Sequence, residues 1–211
     1  MNETNSEPDE NTVAVYGAAG DWGSSIALHY EEQGRRVLRV DPKLGDDNVD
    51  QVEAAKKASK LVFAVFPQQF NETITAIRSV LTDKHRIIET TSVKQDVIPT
   101  LTSLDEEGIS CAATHPMIAS KMTTVRGQVA LLMSCGKNSE AALAEARKLY
   151  GDMEMIMRED IPLESHDITN APQQGMVHLA NIAHLAMLAE LSRKGLDVNI
   201  MRSVATGNYR L

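Results

Sequence analysis

At 211 residues, the chain is long enough for one domain of about 150 residues and part of a second, with an ample buried core. Hydrophobic residues make up 43% and charged residues 24%, ordinary globular proportions, while a net charge of -8 argues against the basic face that nucleic-acid binding needs. No apolar run approaches the roughly 20 residues that span a bilayer, so no membrane partner is expected. The acidic, polar start is the opposite of a signal peptide; residues 1–11 are expected to be a disordered tail and the protein cytoplasmic. Cys111 and Cys135 fall inside apolar runs without metal-ligand spacing and read as buried, inert thiols of a reducing compartment.

Val13 to Tyr16 is a short apolar run ending in glycines, and it reads as a first buried strand. A helical pattern with Ile26, Leu28 and Tyr30 follows, up to the stop at Gln33-Gly34. Val37 to Val40 is a second strand closed by Asp41-Pro42, residues 49–59 are a polar helix or loop, and Leu61 to Val65 is a third strand ended by Pro67. Phe70, Ile74, Ile77 and Leu81 predict a helix over 68–82, and Arg86 to Glu89 a fourth strand. Lys94 to Glu107 reads as a helix that Pro99 would kink. Ile109 to Thr114 and Val129 to Met133 read as strands, and Glu140 to Tyr150 as a helix. Such alternation implies an α/β fold, a Rossmann-type doubly wound parallel sheet with helices on both faces, over residues 12–160. From residue 161 the strand signal disappears. Glu164 to Leu191 carries Met176, Leu179, Ile182, Leu185 and Leu188 on a helical period, and Val198 to Thr206 predicts a shorter helix. Residues 161–211 therefore read as the start of an α-helical C-terminal domain, whose uncovered apolar face predicts a homodimer.

The first strand-to-helix turn reads Gly17-Ala18-Ala19-Gly20-Asp21-Trp22-Gly23. Ala18-x-Gly20-x-x-Gly23 is a dinucleotide fingerprint with alanine in the first glycine position. Gly20 would let the backbone approach the pyrophosphate, Gly23 would let helix and strand pack closely, and the helix start with Asp21 and Trp22 would face the phosphates. Asp41, 21 residues after Gly20, ends the second strand where a carboxylate accepts hydrogen bonds from the ribose. Because it repels a 2′-phosphate, NAD is expected rather than NADP, with Arg39 and Lys43 partly offsetting that repulsion. Phe66 and Pro67 are expected to wall the nicotinamide side.

Two segments carry candidate chemistry: Glu89-Thr90-Thr91-Ser92-Val93-Lys94, and Thr114-His115-Pro116-Met117 beginning 22 residues after Ser92. Each reads as the carboxyl end of a strand entering a loop, and in an open parallel sheet that rim is where ligands bind. A neutral imidazole, with a pKa near working pH, suits proton transfer to or from a hydroxyl while hydride leaves the same carbon. His115 is the candidate for that role, and Ser92 could orient the same hydroxyl. Lys94 stays open between a solvated helix start and a functional cation. His178 and His184 are six apart, which is not ligand spacing on one helical face, so no metal is expected.

Together with the glycine turn, the Ser92-Val93-Lys94 and His115-Pro116-Met117 segments resemble the prephenate and arogenate dehydrogenase family. Glu164-Ser165-His166-Asp167, with His178 twelve residues after His166, is a third mark, and the resemblance covers about residues 12–211. It implies NAD(P)-dependent oxidative decarboxylation of a cyclohexadienol acid (prephenate, arogenate or an amino-substituted analogue) to an aromatic product. It also implies Gln174 and His178 as substrate contacts and dimerisation through the C-terminal helices, while His166, followed by Asp167, reads as a cap or orienter of the helix. After His-Pro-Met, the family usually shows a glycine two residues on; this chain has Ile118-Ala119-Ser120-Lys121, placing Lys121 as a candidate for a substrate carboxylate. Arg210 falls at the family's Tyr-Arg position, and the family continues well past Leu211, so the chain is expected to be truncated relative to it. Competing readings are an F420-dependent NADP reductase, which lacks the Ser-Val-Lys and His-Pro-Met pair, and a non-catalytic NAD-binding module.

Overall fold

The computed structural model describes residues 7–118, 124–195 and 197. Thirteen main elements run in the order β1 (Asp9–Tyr16), α1 (Asp21–Glu32), β2 (Arg36–Val40), α2 (Gln51–Lys57), β3 (Ala58–Phe63), α3 (Pro67–Ile77), β4 (Arg86–Glu89), α4 (Ile98–Glu106), β5 (Ser110–Pro116), β6 (Val129–Ser134), α5 (Glu140–Asp152), β7 (Ile156–Arg158) and α6 (His166–Arg193). Residues 1–166 and 167–211 form two compact units.

The strands form one sheet in the order β2-β1-β3-β4-β5-β6-β7. Side-chain alternation along each strand sorts the core into two layers. Ala14, Tyr16, Leu61, Phe63, Ile87, Cys111 and Ala113 face a cluster built with Phe70, Ile74 and Ile77 of α3, Leu101 and Leu104 of α4, and Ala54 and Ala55 of α2. Val13, Val15, Val62, Ile88 and Ala112 face the opposite cluster, with Ile26 and Tyr30 of α1 and Leu149 and Tyr150 of α5. Strands buried on both faces need the near-continuous apolar runs the sequence shows. Each fully buried side chain of the size of Phe70 or Ile74 contributes about 1.5–3 kcal/mol.

The sheet differs from expectation at one edge. β1 through β5 are parallel, but β6 runs antiparallel to β5, with His115 opposite Leu131. No helix signal lies between those two strands, and a parallel return needs a crossover, usually helical. β7 is too short for its pattern to register in the sequence, and its three residues are exposed. In α1 the buried positions are Gly23, Ile26, Ala27 and Tyr30, a helical stripe that leaves Leu28 53% exposed rather than in the core. Pro99 lies in the first turn of α4, where its missing N–H is no loss, so the helix starts there instead of kinking. Cys111 is buried while Cys135 is only half-buried; burial pushes both thiols up, Cys135 to about 12. Among the described residues no helix is long and apolar enough to cross a membrane.

Candidate active site

The chain leaves β1 for β2 on one side and returns to β3 on the other, so the topological switch point lies between β1 and β3. Ligands in such sheets bind outside the carboxyl ends of the strands at that point. Short bonds hold these ends together: the Gly17 amide donates to the Val40 carbonyl (2.8 Å), Ala64 to Tyr16 (2.9 Å), and Thr90 to Phe63 (3.1 Å). The Thr114 hydroxyl donates to the Glu89 carbonyl at 2.9 Å. The rim thus runs Asp41, Gly17, Phe66, Ser92, His115 across five neighbouring strands. At about 4.8 Å per strand, four spacings separate its ends by roughly 19 Å.

Glycine is required twice in the first turn. A Cβ on Gly23 would sit 2.1 Å from the Gly17 carbonyl oxygen, and one on Gly17, whose φ is +84°, would sit 2.2 Å from the Ala64 oxygen. Gly23 therefore does what the fingerprint expects of it, letting α1 lie against the turn. A Cβ on Gly20 would touch the Gly17 carbonyl oxygen at 3.4 Å, an ordinary contact, so the fold itself does not demand glycine there. Gly20 caps α1 with no side-chain acceptor, which leaves the first-turn amides to an anion. Asp21 is exposed at the first helical position. Trp22 is half-buried, its ring parallel to Tyr150 at 6.4 Å, and its Nε1–H finds no acceptor among the described residues.

Asp41 sits beside that turn. One carboxylate oxygen accepts from the Lys43 amide at 3.0 Å, the other from the Ala19 amide at 3.2 Å, so the group is fixed at the end of β2. Arg39, a candidate to offset its charge, is held bidentately by Glu31 at 3.0 and 2.9 Å. Phe66 is 76% exposed just past β3, and Pro67 opens α3.

The far end of the rim is built differently. Glu89 and Lys94 are both fully buried, with Nζ of Lys94 2.5 Å from Glu89 Oε2 and 2.7 Å from the Thr114 carbonyl. Glu89 also accepts the Thr91 amide. Lys94 is therefore neither a solvated residue nor a helix start, since α4 begins four residues later at Ile98. Its ammonium binds the end of β4 to the residue before His115. Ser92 lies exposed on the loop that this pair anchors. Below, the Thr114 hydroxyl shares a 2.6 Å bond with the Tyr150 hydroxyl, and desolvation, with the Glu89 charge adding to it, pushes the Tyr150 phenol well up against the opposing Thr114 bond.

His115 ends β5 at 3% exposure, and its Nδ1 lies 2.9 Å from Nε2 of His166, which is fully buried. Sequence alone reads His166 as a cap or orienter of the helix, with no link to His115. Its partner lies 51 residues away, and the available signal was a second histidine at the predicted helix start, three residues after an apolar Leu163. His85, equally buried, shows the structural alternative: its Nδ1 accepts from the Thr82 amide at 2.9 Å and its Nε2 faces the Ala55 carbonyl at 3.0 Å, far from the rim. Gln174 and His178 lie on α6, but their side chains are outside what is described; Lys121 and Arg210 fall outside the described residues. Among the described residues no cluster of three His, Cys, Asp or Glu could hold a metal.

Fold and rim define a dinucleotide-binding domain with acid–base side chains at adjacent strand ends. A family profile for "Prephenate dehydrogenase, nucleotide-binding domain" matches residues 19–152, and the chain belongs to that family. It is 24% identical over 211 residues to a probable arogenate/prephenate dehydrogenase of Methanocaldococcus jannaschii, covering 95% of this chain and 47% of that one. It thus spans about half the length of the curated relative it matches. The Aquifex aeolicus prephenate dehydrogenase in complex with hydroxyphenyl propionate and NAD+ superposes with a TM-score of 0.70 at 16% identity, over 88% of this chain and 71% of that one. An Aspergillus terreus reductive aminase in complex with NADPH and ethyl levulinate reaches the same TM-score of 0.70 at 12% identity, over 93% and 71%. At these identities the superpositions establish the fold, and the site must establish the chemistry.

Proposed function

We propose that the chain binds NAD and catalyses the oxidative decarboxylation of prephenate, arogenate or an amino-substituted analogue in aromatic biosynthesis. The observation that carries this reading is the placement of Ser92 and His115 on adjacent strand ends, on the same rim as the glycine turn and Asp41, in a member of the prephenate dehydrogenase family. Gly20 and the α1 amides would hold the pyrophosphate of NAD, Asp41 its ribose, and Phe66 and Pro67 would wall its nicotinamide. When bound, NAD would accept the hydride from the ring carbon that carries the hydroxyl, while the His115 imidazole takes the hydroxyl proton and Ser92 orients it. Loss of carbon dioxide leaves its electron pair in the ring, which becomes aromatic, and the proton returns to the oxygen. Lys121, Gln174, His178 and Arg210 are the proposed substrate contacts.

The apolar row Met176, Leu179, Ile182 and Leu185 on α6 is 55–64% exposed and calls for cover, for which a second copy is proposed, with the helical domain taken from residue 161. A cytoplasmic location fits a small-molecule enzyme of this charge. The test is NADH formation by the full chain with each acid, beside His115→Asn. Wild type is expected to turn over at least one acid, and the variant to lose about 10²–10⁴-fold in kcat. Binding of NAD without turnover of any acid would leave a non-catalytic module. A variant as fast as wild type would remove His115 from the mechanism.

A further inference from the structure

His115 and His166 meet through ring nitrogens 2.9 Å apart, with the ring centroids at 5.0 Å and the planes tilted by 59°. A nitrogen–nitrogen bond needs one N–H and one lone pair, and two imidazolium rings, which are donors only, cannot make it. The contact therefore ties the protonation of one ring to that of the other. Burial adds to the constraint: at 3% and 0% exposure neither ring can trade this partner for bulk water, and a buried polar atom left unpaired costs about 1–3 kcal/mol. The backbone entering His166 is set by the 3₁₀ turn Leu163–Ser165, whose Leu163 is buried in the core cluster that also holds Leu131 and Met133.

We infer that His166 is a positioning residue for His115. This rests on the dehydrogenase reading above. For His115 to accept the substrate's hydroxyl proton at Nε2, its neutral ring must carry its own proton on Nδ1, and that N–H must donate. His166 Nε2 is the acceptor that selects this tautomer. The same bond, in the same direction, persists when His115 becomes an imidazolium, so the transient charge meets an acceptor that is already in place. The proton goes back to the aromatic oxygen as carbon dioxide departs, and the pair ends each turnover as it began. His166 thus occupies the place that a carboxylate holds behind a working histidine in other sites, without adding a negative charge next to an anionic substrate.

The test compares His166→Leu, which removes the acceptor, with His166→Gln, whose side-chain amide reaches about as far as Nε2 and can accept the same bond. In ¹⁵N-histidine-labelled full-length chain, the His115 ring signals are identified by their loss in His115→Asn. Wild type and His166→Gln are expected to show His115 protonated on Nδ1 alone, and His166→Leu a mixture of both tautomers. kcat is expected to fall up to about 10²-fold in His166→Leu, the lower end of what a positioned base supplies, and to recover in His166→Gln, with KM for NAD unchanged. A wild-type His115 protonated on Nε2, or a His166→Leu variant with unchanged ring signals and kcat, would overturn the assignment. Should His166→Leu not fold, the wild-type and His166→Gln spectra still decide it. Should wild type turn over none of the acids, the dehydrogenase reading falls, while the ring signals still report whether His166 sets the tautomer.

Discussion

The two ends of the rim solve the problem of holding a small molecule in opposite ways. At the β1–β2 end the work falls to backbone: glycines that exclude side chains, helix amides left uncapped, and one half-buried carboxylate fixed by two peptide N–H groups. At the β4–β5 end it falls to side chains: Glu89, Lys94, Thr114, His115 and His166, each at or below 3% exposure. A nucleotide's phosphates and ribose are generic and suit a generic cradle. The proton transfer proposed for His115, at one hydroxyl oxygen, needs a single ring orientation, and that takes interlocking polar groups beneath it.

The sharpest way to break this contrast is Lys94→Met, which strands the Glu89 carboxylate in the core. It is expected to cost about 3–5 kcal/mol in chemical denaturation. Glu89→Gln in the same chain should recover most of that loss, because the amide still accepts the Thr91 N–H. A penalty as small as that of a surface pair would mean the far end is not side-chain built. Gly23→Ala tests the other end: its methyl would overlap the Gly17 oxygen, costing about 1–3 kcal/mol by overpacking, and NAD affinity measured by calorimetry should fall with it. Weaker still, Asp41→Ser should move the ratio of NAD to NADP use toward NADP by about tenfold, or 1.4 kcal/mol. With Arg39 already committed to Glu31, the shift should grow when Glu31→Gln is added.

The smallest effect concerns His29, on the last turn of α1. Its pKa is lowered from the ordinary 6.5, mainly by burial and further by Lys148, against the opposing pull of Asp152 and Glu32. A depressed value in the folded state means that its contribution to stability is present above pH 6.5 and lost as pH falls through the lowered value. His29→Gln should flatten that acid limb of the stability profile without touching turnover.

The same contrast explains what could be read from sequence. Gly17 and Gly23 announce themselves because a backbone approach that tolerates no Cβ can be met only by glycine, at an interval set by one strand and one turn. Asp41 follows from the length of the intervening helix. The apolar runs gave the strands and their parallel core, yet the direction of β6 depended on noticing that no crossover helix separates it from β5. Glu89 and Lys94, five apart, looked like a strand end and a helix start; only the Thr114 carbonyl, arriving from β5, turns them into a buried pair. His166 was underrated for the same reason: its value lies in a partner that sequence distance conceals. Leu28 misled because helical spacing alone does not say which face is covered.

The Glu89–Lys94 pair has a consequence for how the molecule responds to its medium. Mobile ions screen exposed charges within about 8–10 Å at ordinary ionic strength, but they reach a sealed pair hardly at all. Raising the salt should therefore loosen the grip on the nucleotide's phosphates, so that KM for NAD climbs, while the strand end that carries the imidazole stays as rigid in brine as in dilute buffer.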